Sequence, residues 1–471
     1  AIQWFEDEHR WRLRRGSASK SEVPAEVLAL PYFVQSPTID MCRRAIVGCP
    51  GFREVNKDDY VLFNYDFCFR GSFPDPYTAP SVDEALLRQT RRECRGIIFN
   101  KETGKIISRR YHKFFNVNEL DETHEDLIDV TRSHVILDKM DGCLVSPFIS
   151  LGVLRWGSKM GITELSIEME TAFLIKKTDI KYAEFCMYWI EKGYTPLFEW
   201  CSYRQQIIVS YPEDMLILTA IRNNETGAYV LLSEMQASAK AHNVPVTKPM
   251  SVSFGDQYKD LGELLTHVKA TTDLEGFVLC FNNGEFYKLK TEWYFARSKK
   301  VAGHFTGQEK ELWDLILNRK IDDLGGALGP RRTELLEKHS LRLWQALERS
   351  AARMNKWIED KKKSGATEQK AFADVVTAEI PKEWSGMYFN VWRGNDALET
   401  IVEKCKAYMD NRNKLQRVRD AWAEGIIVDL TEGPGGLAGD DAAPADAASS
   451  SAVPSSPSPA LSDELSSNTP E

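Results

Sequence analysis

Residues 134–144 read HVILDKMDGCL. Val135, Ile136 and Leu137 form an apolar run of strand-forming type, and Asp141-Gly142 is a turn signal. A strand therefore ends near Lys139 and the chain turns at once. A lysine two residues before Asp-Gly arises by chance in roughly one chain in ten of this length. Lys139 is either a solvated surface lysine or a nucleophile set beside a turn, and the flanking sequence decides between them.

That flanking sequence reads as α+β. RGIIFN (95–100) and KIISRRY (105–111) flank the turn residues KETG and predict a hairpin. Strand patterns follow at YTPLFEW (194–200), QIIVSY (206–211), MLILTAI (215–221), AYVLL (228–232), GFVLCF (276–281) and EFYKLK (285–290). Helical stretches fall between them around 163–176 and 233–241, an interleaving that fits antiparallel sheets with helices better than an ordered βαβ series. Near residue 300 the texture changes. Leu336, Leu343, Trp344, Leu347, Ala351, Met354 and Ile358 recur at three- and four-residue steps, the period of an amphipathic helix. Further helical patterns cover 309–319, 367–379 and 396–424, punctuated by Gly325-Gly326 and the GPRR at 329–332. The expected organisation is an N-terminal region and catalytic domain over 1–300, an all-helical C-terminal domain over 301–430, and a tail over 431–471. The tail is Ala, Ser, Pro and Gly with few large apolar residues, too few to offset its ordering entropy, and is expected to be disordered.

Composition excludes several classes. The 43% hydrophobic and 27% charged content is that of an ordinary globular protein. No run of about 20 apolar residues is present, so no membrane span is expected. The N-terminal AIQWFEDEHRWRLRR has no apolar core of a secretory signal. Nine cysteines (42, 49, 68, 94, 143, 186, 201, 280 and 405) are scattered, odd in number and never spaced C-x-x-C. That argues against a disulfide framework and a cysteine zinc site, and for a reducing, intracellular compartment, cytoplasmic or nuclear. The eight histidines show no metal spacing. Of the net charge of −9, seven units belong to residues 431–471, which hold seven acids and no Lys or Arg; the remainder carries −2. A local basic groove for nucleic acid is compatible with that balance.

A lysine that attacks a nucleotide α-phosphate must be neutral at the moment of attack. Its ordinary pKa near ~10.4 has to fall, and neighbouring cations or a metal are one route. The triphosphate needs fixed positive charge, Mg²⁺ needs carboxylate oxygens, and the purine needs an apolar slot. The chain offers such a set. Arg95 stands in CRGIIF, Lys113 beside Phe114-Phe115 in SRRYHKFFNVNE, and Lys159 in WGSKMG. PLFEW places Glu199 at the end of an apolar strand, a context in which an acid is rarely buried without purpose. Glu275 precedes GFVL, and Lys288 and Lys290 in FYKLKTEWY share one face of a strand. Each has a plainer reading. Lys288 and Lys290 suit the solvated face of an edge strand. Arg95 has Glu93 as a nearby partner, Lys159 fits a surface loop, and Phe114-Phe115 fits core packing.

Lys139-Met140-Asp141-Gly142, followed in order by Glu199, Glu275 and Lys288/Lys290, resembles the motifs of the covalent nucleotidyltransferases, the class of DNA and RNA ligases and capping enzymes. CRGIIF, SRRYHKFFNVNE and FYKLKTEWY are similar, more particularly, to the bacteriophage T4 RNA ligase 1 family, over about residues 60–300. The resemblance implies an antiparallel-sheet nucleotidyltransferase (ATP-grasp-like ligase) domain. It implies ATP and Mg²⁺ or Mn²⁺ as cofactors and Lys139 as the nucleophile that forms lysyl-AMP. AMP would pass to the 5′-phosphate of an RNA end, and a 3′-hydroxyl would then displace it and seal the strand. By resemblance, Arg95, Lys113 and Lys159 contact phosphates, Asp141-Gly142 shape the nucleophile's loop, and Glu199 touches the ribose. Glu275 serves the metal, and Lys288 and Lys290 bind the α-phosphate and leaving group. The implied partner is RNA with 5′-phosphate and 3′-hydroxyl ends, tRNA included, its ends made by separate healing enzymes.

The helical domain is expected to read folded RNA through Arg331-Arg332, Lys361-Lys362-Lys363 and Arg412 to Arg419, with ordinary solvated helix surface as the plainer reading. An mRNA-capping guanylyltransferase is the rival enzyme, disfavoured because no appended β-barrel pattern follows. A catalytically inactive ligase-like RNA-binding protein is the rival from another class, against which stands the complete set of charged motif residues. Two positions depart from the family pattern. Cys143 replaces a small hydroxyl residue, and a thiol is a poor donor. Gln206 stands where an Arg commonly precedes the Ile-Val pair, with Arg204 two residues earlier on the same face of a strand. Replacement by Arg204 and loss of the contact both stay open.

Overall fold

Three four-stranded sheets carry the chain from Phe52 to Lys290. The structure is a computed structural model that describes residues 23–205, 207–250, 258, 260–303, 308–319, 321, 330–409 and 411–426. The expected tail, Gln206, Gly325-Gly326 and the side chains of Arg331 and Arg332 lie outside the described residues.

The first sheet runs in chain order: β1 (Phe52–Asn56), β2 (Tyr60–Tyr65), β3 (Ile97–Asn100) and β4 (Ile106–Ser108), all antiparallel. The expected hairpin is β3–β4, with Phe99 opposite Ile106. Every residue of β2, YVLFNY, is buried, because both faces of that strand are covered. Phe63 and Tyr65 join an apolar cluster with Phe73 and Phe115, while Leu62 packs with Ile98 and Phe148 of the second sheet. The second sheet has the order β10-β9-β7-β8, from β7 (Cys143–Ser150), β8 (Val153–Ser158), β9 (Tyr194–Cys201) and β10 (Met215–Asn223). The third has the order β5-β12-β11-β6, from β5 (Phe115–Asn116), β6 (His134–Lys139), β11 (Gly276–Phe281) and β12 (Phe286–Lys290). Its pairs are antiparallel except β5 with β12, which is parallel.

Two expected strands are corrected. QIIVSY is not a strand: Tyr203–Gln205 is a 3₁₀ turn and residues 207–209 are irregular. The cause is local competition for donors, since the Ile208 and Val209 N–H groups bond the Asp141 carboxylate rather than a neighbouring strand. In AYVLL, Tyr229 makes one isolated bridge to Arg222, and the helix Leu232–Ala241 then begins. The helices Ile39–Ile46, Val82–Glu93, Tyr182–Glu191 and Leu261–Ala270 cover the sheets.

One buried ion cluster ties these layers. Glu93 accepts from Arg109 Nη2 at 2.9 Å and from both Arg222 terminal nitrogens at 2.8 Å. Both guanidiniums are fully buried. Despite the opposing effect of burial, the two arginines hold the Glu93 carboxyl down to about 2.

Beyond the sheets, six helices share one apolar cluster: Glu309–Leu317, Pro330–Lys363, Gln369–Glu379, Lys382–Trp392, Ala397–Tyr408 and Arg412–Trp422. All seven residues of the expected period are buried in it, none more than 6% exposed. The pattern expected over 396–424 resolves into two helices, the second capped by Asn411, which accepts from Lys414 N. Phe67, just past β2, inserts into this cluster and stacks on Trp344 at 6.0 Å. No helix among the described residues is long and apolar enough to cross a membrane.

Candidate active site

The KMDG stretch is where the chain leaves the third sheet and enters the second. Lys139 ends β6 and Cys143 begins β7, so the lysine sits at the seam between two sheets. Gly142 lies so close to β9 that a Cβ on it would stand 2.4 Å from the Trp200 carbonyl oxygen. A side chain there would drive the turn away from the strand that carries Glu199. Asp141 is buried and turns inward. Its Oδ2 accepts from Ile208 N at 2.8 Å and Val209 N at 2.7 Å, and its Oδ1 accepts from Tyr294 Oη at 3.0 Å. Its own N–H donates to Tyr211 Oη at 2.8 Å. Asp141 thus shapes the loop and is not on the cleft wall, whereas Met140, Gly142 and Cys143 are.

Three strand ends converge on the lysine. In the register of the third sheet Gly276 faces Lys139 on one side and Lys290 on the other. Glu275, the residue before it, therefore projects between two lysines. Its Oε2 accepts from Lys139 Nζ at 2.5 Å, and its Oε1 lies 3.5 Å from Lys290 Nζ. Gly276 is required by close approach: a Cβ would meet the Leu289 carbonyl oxygen at 2.0 Å. The Lys139 side chain keeps 22% exposure, towards a cleft of about 1130 Å³.

Arg95, Lys113, Lys159, Glu199, Glu275, Lys288 and Lys290 all line that cleft with Lys139. Lys113 Nζ and Lys159 Nζ lie 5.3 and 5.0 Å from the centre of the Tyr65 ring. Lys113 Nζ is also 3.3 Å from Cys68 Sγ. Arg95 does not pair with Glu93, whose oxygens are occupied by Arg109 and Arg222. One terminal nitrogen of Arg95 is buried without a partner. Arg110 holds the two loops bearing Arg95 and Lys159 together, donating to the Gly96 and Gly157 carbonyls. An apolar wall of Leu137, Phe114, Val278, Tyr229 and Phe286 lines the same cleft, with Tyr229 and Phe286 ring centres 4.5 Å apart. Of the expected pair, both line the cleft, Phe114 half-buried and Phe115 also packed into the core cluster of the first sheet.

The charges are unevenly poised. Burial works against the charge of Lys139, but Glu275 and Glu199 outweigh it and hold its pKa above the ordinary value. In this state the amine is an ammonium, the reverse of what nucleophilic attack needs. Burial, reinforced by Lys113, Lys139 and Arg95, pulls Lys288 down to about 7. Burial pushes Glu199 up to about 7, against the pull of Lys139 and with the help of Glu275. Opposed shifts in one cleft mark it as a candidate functional site.

Other expectations fare differently. Arg204 does not line the cleft; it is exposed and donates to Glu168 at 2.9 Å, so it supplies no replacement for the family's arginine. Cys143 lines the cleft. Of the basic spots on the helices, Lys361 pairs with Glu379, Arg417 with Glu383 and Arg419 with Glu309. The helical region reaches the cleft through Asn318, Arg319, Thr333 and Glu337 instead. Tyr65, Cys68, Arg110, Tyr211, Tyr229 and Phe286 are site or supporting residues that motif reading did not single out; the charged run SRRY inside strand-like sequence was the available signal for Arg110. No group of three metal-ligating side chains is present among the described residues. Glu275 and Glu199 fit a Mg²⁺-type ion, which keeps waters and uses one or two carboxylates with substrate phosphates.

The site is thus a lysine paired with a carboxylate in a cleft lined by six further basic residues, Arg319 included, and an apolar face. Residues 93–296 match the model of the RNA ligase family. A Thermovibrio ammonificans protein, an RNA ligase by assignment only, is 27% identical over 293 residues, 61% of this chain and 70% of its own. RNA ligase 1 of bacteriophage TS2126 is 28% identical over 247 residues, 51% of this chain and 59% of its own. An archaeal ATP-dependent RNA ligase structure aligns with a TM-score of 0.38 and 12% identity, over 55% of this chain and 64% of that one, a likeness too distant to bear on activity. The resemblance read from the motifs is thereby shown: the segment that carries them is similar to RNA ligases, a T4-like phage RNA ligase 1 among them. The capping and inactive-scaffold alternatives gain no support from these matches.

Proposed function

We propose that this protein is an ATP-dependent RNA ligase in which Lys139 is the nucleophile. The observation that carries the reading is the Lys139–Glu275 pair at the mouth of a cleft lined by Arg95, Lys113, Lys159, Lys288 and Lys290. The adenine base packs on the Phe114, Tyr229 and Phe286 wall, and Glu199 holds the ribose. Lys288 and Lys290 take the α-phosphate and leaving group, with Arg95, Lys113 and Lys159 on the remaining phosphates. Mg²⁺ or Mn²⁺, bound through Glu275 and substrate phosphates, would supply positive charge there. Glu275 Oε2 is the acceptor in contact with the ammonium proton, so it is the atom placed to receive it as the amine becomes nucleophilic. Lys139 Nζ then bonds to the α-phosphorus and pyrophosphate leaves. The AMP passes to an RNA 5′-phosphate, and a 3′-hydroxyl displaces it. The RNA ends carry a 5′-phosphate and a 3′-hydroxyl, and tRNA is among the substrates. Residues 1–300 form the adenylyltransferase unit in this reading, and 301–430 the module that selects RNA in an intracellular setting.

The test is incubation with Mg²⁺ and α-³²P-labelled ATP or GTP, beside Lys139→Ala. Label from ATP on the denatured wild-type chain, absent from the variant, is expected. Label from GTP alone, or equal label on Lys139→Ala, would overturn the reading.

A further inference from the structure

The turn after Lys139 is fastened to one short segment by reciprocal hydrogen bonds. Residues 207–211 give two backbone N–H groups, of Ile208 and Val209, to Asp141 Oδ2 at 2.8 and 2.7 Å. The same segment returns an acceptor, Tyr211 Oη, to the Asp141 N–H at 2.8 Å. Both polar groups of a buried residue two positions from the nucleophile are thus held by a loop with no strand or helix of its own. These backbone bonds, with Tyr294 Oη on Oδ1 at 3.0 Å, fix where the Asp141 carboxylate sits. Only the tyrosine hydroxyl reaches the peptide that follows Met140, so it sets the direction in which the chain leaves Lys139. On the opposite side Gly142 rests against Trp200. The turn is gripped between the two, while the first residue of the segment, Ile207, lies on the cleft wall.

Resting on the ligase reading, we infer that Tyr211 is a positioning residue for lysyl-AMP formation. Its hydroxyl aims Lys139 at the α-phosphate by holding the Asp141 peptide, and it does not touch nucleotide. An amide left without its acceptor near a reacting group loses alignment rather than binding.

The role predicts a division between steps. Joining of an RNA that already carries a 5′-adenylyl group needs the cleft but no attack by Lys139. Tyr211→Phe is expected to lower the single-turnover rate of labelling from ATP by about tenfold, with half-saturation by ATP unchanged. Sealing of pre-adenylylated RNA should stay within about twofold of wild type on the same reasoning. Tyr182→Phe is the control: it removes another buried hydroxyl bond, from Tyr182 Oη to the Leu216 carbonyl at 2.9 Å, away from the turn. It should leave both steps unchanged and shows what a general loss of stability does. If Tyr211→Phe labels at the wild-type rate, or loses sealing in parallel with labelling, or behaves like Tyr182→Phe, the inference is wrong. Should wild type itself fail to label, the ligase reading fails first. If Tyr211→Phe does not fold, a ring-fluorinated tyrosine at position 211, a weaker acceptor of nearly the same shape, must slow labelling and spare sealing; equal effects on both steps overturn the inference.

Discussion

Lys288 shows how one residue can serve the site and weaken the fold. Burial beside Lys113, Lys139 and Arg95 lowers its pKa to about 7, from an ordinary 10.5. Between those values the unfolded chain binds a proton that the folded chain does not. Stability from this group therefore rises with pH across that window and is lowest below about pH 7. Removing the charge should help folding and harm phosphate binding. Lys288→Met is expected to melt roughly 2 °C or more above wild type near pH 6, with the gap closing towards pH 10. Melting curves at both pH values check this. A variant less stable at low pH would show that Lys288 is not under cationic strain. The Lys139–Glu275 pair has the opposite character: it favours the charged amine, and in the proposed reaction it must open before Lys139 can attack.

At the scale of elements, the decisive feature is the joint among the helix Val82–Glu93, the stretch after β4 and strand β10. Glu93 closes the helix and binds Arg109 and Arg222, one from each of the other two. Removing one member of a buried ionic group leaves uncompensated charge, which costs about 3–5 kcal/mol. Glu93→Gln should lose that much stability at neutral pH by denaturant titration. The wild-type advantage is complete above the ordinary carboxyl value and disappears as pH falls through about 2, where Glu93 itself protonates. A loss under about 1 kcal/mol would mean that the arginines are satisfied by their carbonyl partners alone. Those carbonyls are real competitors: Arg109 also donates to Val34, Asn224 and Glu225.

At the scale of the whole molecule, the helical region and the first sheet are coupled through Phe67, with Phe69 beside it, and through a charge network. Phe67 leaves the sheet and stacks on Trp344 inside the helical cluster. Around it, Arg53 and Arg319 each bridge Asp66 and Glu399, with contacts from 2.5 to 3.1 Å. Arg319 belongs to the helical region and also lines the cleft. The coupling therefore places a wall of the cleft. Phe67→Ala should cost about 3–5 kcal/mol by loss of buried area and the cavity left behind. It should also separate the melting of the helical region from that of the sheets in a calorimetric scan. A single unshifted transition would mean that Phe69 and the ion network hold the two together.

The local code was legible where short-range physics dominates. HVILDK, GFVLCF and the 336–358 period read correctly because alternation or a 3.6-residue repeat reports a buried face directly. The order Lys139, Glu199, Glu275, Lys288, Lys290 named cleft residues because each lies in or next to such a strand. QIIVSY misled because its apolar pattern carries no record of the Asp141 carboxylate that captures its N–H groups. The fates of Arg95, Arg109 and Arg110 were equally hidden, since partners from distant segments decide which cation is free and which is locked. The tertiary structure alone made Lys139 an ion-paired ammonium. Its carboxylate lies 136 residues away, and only the register of β6 against β11 brings the two within 2.5 Å.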